Sequence, residues 1–263
     1  MGAGNDASGA TVLTVRRGMQ VLRAFRSERA PLSNAELVRR TGLSKATVSR
    51  LTSTLLHLGF LRHVPGGREF ELAAAPVGIG HAYLASSDLL RIANPLLQEL
   101  ADELNVSVAL SIRDDLEMLY VGYRVSHKVR TLRLGVGSVL PLGTTSIGRA
   151  YLWGLPEAER EDLLARLRTH AGSAAPGLMR GIQQSFDELR RIGICSVLSG
   201  YQRDAYGVAL PVRVGRKRIL MSMSCGKADV QPNLAEESKR IAPVLRCAAE
   251  RFQDLLADFD GEL

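Results

Sequence analysis

Between Ser44 and His57 the chain places Lys45, Thr47, Ser49 and Arg50 within two helical turns, followed by Ser53. These residue types donate hydrogen bonds to an acceptor-rich, negatively charged surface. At about 100 degrees per residue, Ala46, Ser49, Arg50, Ser53 and His57 share one side of a helix, and Val48, Leu51 and Leu55 form an apolar stripe on the other. A small, polar outward face is what entry into the DNA major groove requires, because bulky apolar side chains block approach. Arg50 is the best candidate for a guanine, since a guanidinium engages two acceptors at once. Several flanking residues suit phosphates: Arg16 and Arg17, Ser33 and Ser44 at helix N-termini, Arg39 and Arg40, and Arg68. Each of these also fits an ordinary exposed or capping side chain.

A second group lies in Pro141 to Ala150, where Thr144, Thr145, Ser146 and Ile147 run into a predicted helix over 145–154. A helix N-terminus exposes unpaired amides and partial positive charge, which suit the carboxylate of a small ligand; an ordinary N-cap fits the same residues. Ser222 and Ser224 alternate on a predicted strand, so both hydroxyls point to one side, toward such a pocket or toward solvent. No H-E-x-x-H, G-x-S-x-G or G-x-x-x-x-G-K-[ST] occurs. The glycine pairs Gly78 and Gly80, and Gly135 and Gly137, read as turns or close packing. Five scattered histidines and three cysteines without C-x-x-C spacing, Cys195, Cys225 and Cys247, signal no metal site, no disulfide and no cofactor; buried free thiols are expected. The rival reading is a small-molecule hydrolase built on Ser146, Ser222 and Arg149, with the N-terminal module as an accessory. It lacks a His or carboxylate at motif spacing beside a serine.

The elements that must position these residues follow from local signals. With 263 residues, 46 % of them hydrophobic and 23 % charged, the chain fits one small and one medium folded domain. Residues 1–75 hold eleven Lys and Arg against five Asp and Glu, net +6, while the remainder is net +1. Only the first part is thus expected to meet a polyanion. Residues 1–10 read as a frayed leader, and 11–75 as a winged helix-turn-helix. A helix over 15–25 buries Val15, Met19, Leu22 and Phe25. A capping box at Ser33 to Glu36 opens a helix to Thr41, Gly42 turns the chain, and Ser44 caps the next helix. Strands over 60–64 and 68–72 flank Pro65-Gly66-Gly67 as a wing. Residues 76–91 read as a linker helix. Within 92–263, helices over 92–104, 145–154, 156–167, 182–192 and 233–259 alternate with strands over 106–112, 118–123, 131–136, 208–214 and 219–224. That mixture predicts an α+β chain whose larger domain packs helices on a sheet. No secretory signal or membrane-spanning run is visible, so a cytoplasmic location is expected.

In this order the parts resemble the IclR family of transcription regulators. The likeness is carried by Ala35-Glu36-Leu37-Val38, Thr41 to Thr47, Arg50-Leu51 and Leu58 to Leu61. It continues in Pro141 to Ala150, Glu188-Leu189, Arg191-Ile192-Gly193, and Ala209 to Val212. The resemblance implies a GAF-like effector-binding domain that also oligomerises the chain, as a homodimer or homotetramer, and regulation of operons by small organic acids or aromatic compounds. It implies an effector cleft lined by Thr144, Thr145, Ser146, Ile147, Val197, Gly207, Ser222 and Ser224, with Arg149 where the family usually has Lys. The acidic run expected after Gly193 is replaced by Val197 to Gln202, which predicts a less acidic, more apolar cleft. A dimer would present its two recognition helices roughly 34 Å apart to double-stranded DNA, hence a near-palindromic operator.

Overall fold

The wing and its helices come first in the computed structural model, which describes residues 12–25, 30–129, 134–229 and 232–261; the leader over 1–10 lies outside the described residues. Helices α1 (Leu13–Arg23), α2 (Asn34–Thr41) and α3 (Lys45–His57) pack around Val21, Ala24, Leu37, Val48 and Leu55. Only the Val21 and Ala24 side of α1 meets α2 and α3, so Val15 and Met19, expected inside, are 59 % and 53 % exposed. The Ser33 hydroxyl accepts the Glu36 amide at 3.2 Å. The reciprocal half of the expected capping box is replaced, because the Glu36 carboxylate turns to Arg39 and Arg40 instead. Gly42, at φ +69°, ends α2 in the left-handed conformation that side chains resist. Strands β1 (Leu61–His63) and β2 (Phe70–Leu72) pair antiparallel, and a Leu32–Phe70 bridge anchors the hairpin. They are shorter than the sequence pattern predicts, leaving Val64 to Glu69 as the loop.

Helix α4 (Ala75–Ser86) buries none of its residues and contains no Asp, Glu, Lys or Arg. The linker helix expected over 76–91 stops there, because the Ser87 hydroxyl accepts the Leu90 amide at 3.3 Å and starts a new helix, α5 (Asp88–Leu104). The chain divides into two compact units at this point, between Ser86 and Ser87.

The second unit is a six-stranded antiparallel sheet in the order β5-β4-β3-β8-β7-β6. Its strands are β3 (Ser107–Asp114), β4 (Glu117–Val125), β5 (Val139–Pro141), β6 (Cys195–Leu198), β7 (Ala205–Val214) and β8 (Ile219–Ala228). Helices α5 and α9 (Leu234–Leu255) cover one face over Val108, Leu110, Val208, Leu210, Met221 and Met223. Helices α6 (Ser146–Gly154), α7 (Glu157–Ala171) and α8 (Ala175–Ile192) belong to the other face, with Ala109, Tyr120, Tyr123 and Ala209. The register of β3 and β4 shifts between Leu110 and Ser111, so that Val121 and Gly122 together stand opposite Leu110. Such a bulge interrupts the two-residue alternation, and Tyr120 and Tyr123, three apart, come to the same face.

Three expectations change here. The strand predicted over 131–136 falls partly on residues outside those described; 134–136 belong to no strand, and the edge strand beside β4 is β5. Strand β6 has four residues, too few for a visible period. Helix α8 starts at Ala175 because Pro176 falls in its first turn, where a proline needs no amide hydrogen bond. Among the described residues no helix is long and apolar enough to cross a membrane.

Candidate functional site

The outward side of α3 is built by its own caps. Ser44 accepts the Thr47 amide at 3.3 Å and meets the Thr47 hydroxyl at 2.9 Å, so Thr47 is half-buried while Ser44, Lys45, Ala46, Ser49, Arg50 and Ser53 are exposed. Among the described residues no ion pair holds Lys45, Arg50 or Arg68. Arg68 is exposed in the wing loop, Arg16 is exposed on α1 and Arg17 half-buried. The Ser33 hydroxyl accepts the Glu36 amide as a cap and keeps its own proton to donate. Arg39 and Arg40 depart from the phosphate reading: Arg39 grips both Glu36 oxygens at 2.8 and 2.6 Å. Arg40 bonds Glu36 at 2.6 Å and reaches the Ala24 carbonyl at 3.0 Å, tying α2 to the end of α1. Their hydrogen bonds hold the Glu36 carboxyl down to about 2.

In the second unit, the Pro141 to Thr145 loop folds tightly onto the first turn of α6. Thr145 accepts the Gly148 amide at 3.2 Å and donates to the Pro141 carbonyl at 2.7 Å. A Cβ on Gly148 would sit 2.1 Å from the Leu142 carbonyl oxygen, so only glycine fits there. Ser146 is held over Gly207, whose Cβ would lie 2.5 Å from the Ser146 hydroxyl. The register Ser107↔Gly226↔Gly207 lays small residues side by side across β3, β8 and β7. Above that floor lies a cavity of about 60 Å³. Its walls are Thr145, Ser146 and Ile147 from α6, Val197 from β6, Tyr120 and Tyr123 from β4, and Tyr201 and Gln202, which are exposed at its mouth. Among the described residues no charged side chain lines it. The Tyr120 and Tyr123 rings stack at 5.9 Å. Burial raises the pKa of both hydroxyls. Tyr120 lies against Ser224, while the Tyr123 hydroxyl is buried and has no hydrogen-bond partner among the described residues.

Thr145, Ser146, Ile147, Val197 and Gly207 are thus brought together, and Thr144, Arg149, Ser222 and Ser224 are not among the lining residues. Arg149 donates to the Gly143 carbonyl at 2.9 Å, the Gly181 carbonyl at 2.8 Å and the Ser185 hydroxyl at 3.1 Å. It rivets α6 to α8, and burial lowers its pKa. Ser222 is fully buried opposite Ser111, and neither hydroxyl finds a partner. Sequence reasoning missed Tyr120, Tyr123, Ser107 and Gly226. The alternation Ser222, Ser224, Gly226 was the available signal for the last of these, while the bulge hid the tyrosines. Among the described residues no cluster of His, Cys, Asp and Glu suits a metal. Cys195 and Cys225 are buried, whereas Cys247, expected inside, is exposed.

Comparisons with known proteins agree with this division. The helix-turn-helix domain of the IclR type matches residues 14–65, and the C-terminal domain of bacterial transcriptional regulator IclR matches 81–253. The HTH-type transcriptional regulator TsaQ1/TsaQ2 of Comamonas testosteroni is 33% identical over 201 residues, 76% of this chain and 72% of that protein. The Pca regulon regulatory protein of Pseudomonas putida is 26% identical over 242 residues, 90% of this chain and 81% of that one. The crystal structure of an IclR family transcriptional regulator from Brucella abortus superposes with a TM-score of 0.83 at 31% identity, covering 97% of this chain and 95% of that one.

Proposed function

We propose, from the premise that the chain belongs to the IclR family of bacterial transcription regulators, which residues serve each half of the work. Residues 11–75 grip duplex DNA with α3 in the major groove. Lys45, Thr47, Ser49 and Arg50 meet base edges, Ala46 and Ser53 leave room, and Arg16, Arg17, Ser33, Ser44 and Arg68 contact phosphates. The observation that carries this is the face itself: exposed, small and polar, with cations that no carboxylate among the described residues neutralises. The chain acts as a homodimer or homotetramer on a near-palindromic operator in the cytoplasm. An uncharged α4 with Val77 and Ile79 71 % and 61 % exposed, and an α1 with Val15 and Met19 outward, support a second copy covering them. The GAF-like domain beyond Ser86 binds a small organic acid or aromatic effector in the cavity. Its carboxylate takes the first-turn amides of α6 at Ser146 and Ile147, and its apolar part lies against Tyr123 and Tyr201. In an electrophoretic mobility shift with the chain's own upstream region, Arg50→Ala weakens specific binding by about 1–3 kcal/mol. Affinity that stays flat between 50 and 200 mM salt contradicts the phosphate contacts.

A further inference from the structure

Tyr123 is set apart from every other residue around the cavity. It stands on β4, while Ser146 stands over Gly207 on β7, and β3 and β8 lie between those strands. At about 4.8 Å per strand spacing, the two groups reach the cavity from opposite sides. The Tyr123 hydroxyl is shut away from bulk water, yet among the described residues it has no hydrogen-bond partner. Ser107 is beside it and draws its pKa down, but the Ser107 hydroxyl, which donates to the Gly226 carbonyl at 2.8 Å, does not stand in hydrogen-bonding geometry with it. A buried donor left unmatched is costly, and native proteins keep few of them. Burial also raises its pKa, so the phenol keeps its proton at neutral pH and acts as a donor.

Resting on the reading of the cavity as the effector site, we propose that Tyr123 is its specificity-determining residue, donating a hydrogen bond to a second oxygen of the effector. The effector is then a bifunctional acid: a carboxylate at the start of α6 and, across the cavity, a carbonyl, hydroxyl or second carboxylate oxygen that accepts from Tyr123. A monofunctional acid leaves this donor as unmatched as the empty cavity does.

The test is calorimetric titration of the full chain and of Tyr123→Phe with two matched pairs, pentanoate against 4-oxopentanoate and benzoate against 4-hydroxybenzoate. In at least one pair the oxygenated member binds the wild type about tenfold more tightly. In Tyr123→Phe that preference vanishes while the plain acid binds as before, and the ligand-free variant melts at or above the wild type. A plain acid that binds without any preference for its oxygenated partner, or a preference that survives in Tyr123→Phe, overturns the role of Tyr123 and leaves the cavity as the effector site. Binding of none of the four overturns both. A lower melting point for Tyr123→Phe shows that the hydroxyl already has a partner inside the protein, and this too overturns the proposal.

Discussion

The two faces of the six-stranded sheet are made from the same strands and do opposite things. Toward α5 and α9 they present Val108, Leu110, Val208, Leu210, Met221 and Met223, side chains that fill space. Toward α6 they present Ser107, Ala109, Gly207, Ala209, Ser222, Ser224 and Gly226, side chains that leave it. The first face removes apolar surface from water and holds the unit together. The second buries apolar surface too, through Met118, Tyr120 and Leu140, but gives up part of that contribution, keeps hydroxyls at Ser111 and Ser222 without partners among the described residues, and gains a cavity. Alternation along a strand lets one sheet divide stability from ligand chemistry, because outside the β4 bulge neighbouring residues face opposite sides.

Substitutions at matched positions probe this division. The largest expected effect is on the packed face: Leu110→Ala, fully buried, lowers stability by about 3 kcal/mol in urea denaturation while leaving ligand preference unchanged. A shift in preference as large as the loss of stability would show that the faces are not separate. Gly148→Ala comes next, at about 2 kcal/mol. Alanine ordinarily helps a helix, but here its Cβ meets the Leu142 backbone, and α6 must move away from the cavity. A variant as stable as the wild type would mean that the loop yields freely. Arg149→Met costs roughly 1–2 kcal/mol by stranding the Gly143 and Gly181 carbonyls, read as a lower melting point with unaltered discrimination among acids. Ser222→Ala, on the open face, changes stability by no more than about 0.5 kcal/mol, since it removes a hydroxyl that bonds to nothing. A cost above about 1 kcal/mol there would reveal a bound water and a tighter face than described.

The helix-turn-helix was legible because its signals are local. Ser33, Gly42 and Ser44 each act within one turn, and the Val48 to Leu55 stripe closes on neighbouring helices. The start of α6 was legible for the same reason. What escaped depends on distant partners. Arg149 looked like a ligand-facing cation, yet its bond to Gly181 spans 32 residues. Val15 and Met19 fit a buried stripe as well as Val21 and Ala24 do, and only the position of α2 and α3 decides between them. Glu36 fits a capping box until two arginines compete for it. Strands β5 and β6, three and four residues long, hold too few residues for an alternation to stand out. The rival hydrolase reading finds no support in a chain that belongs to a family of transcription regulators.

One surplus residue on β4 shows how a strand absorbs a change of length. Without Val121, Tyr120 and Tyr123 stand two apart, and plain alternation keeps both rings on the cavity side. The bulge thus adds a residue to the α5 side, where Val121 packs, and leaves the order of side chains on the other side intact. A strand can gain or lose one residue here with its cavity wall preserved, although every later position shifts by one in the count.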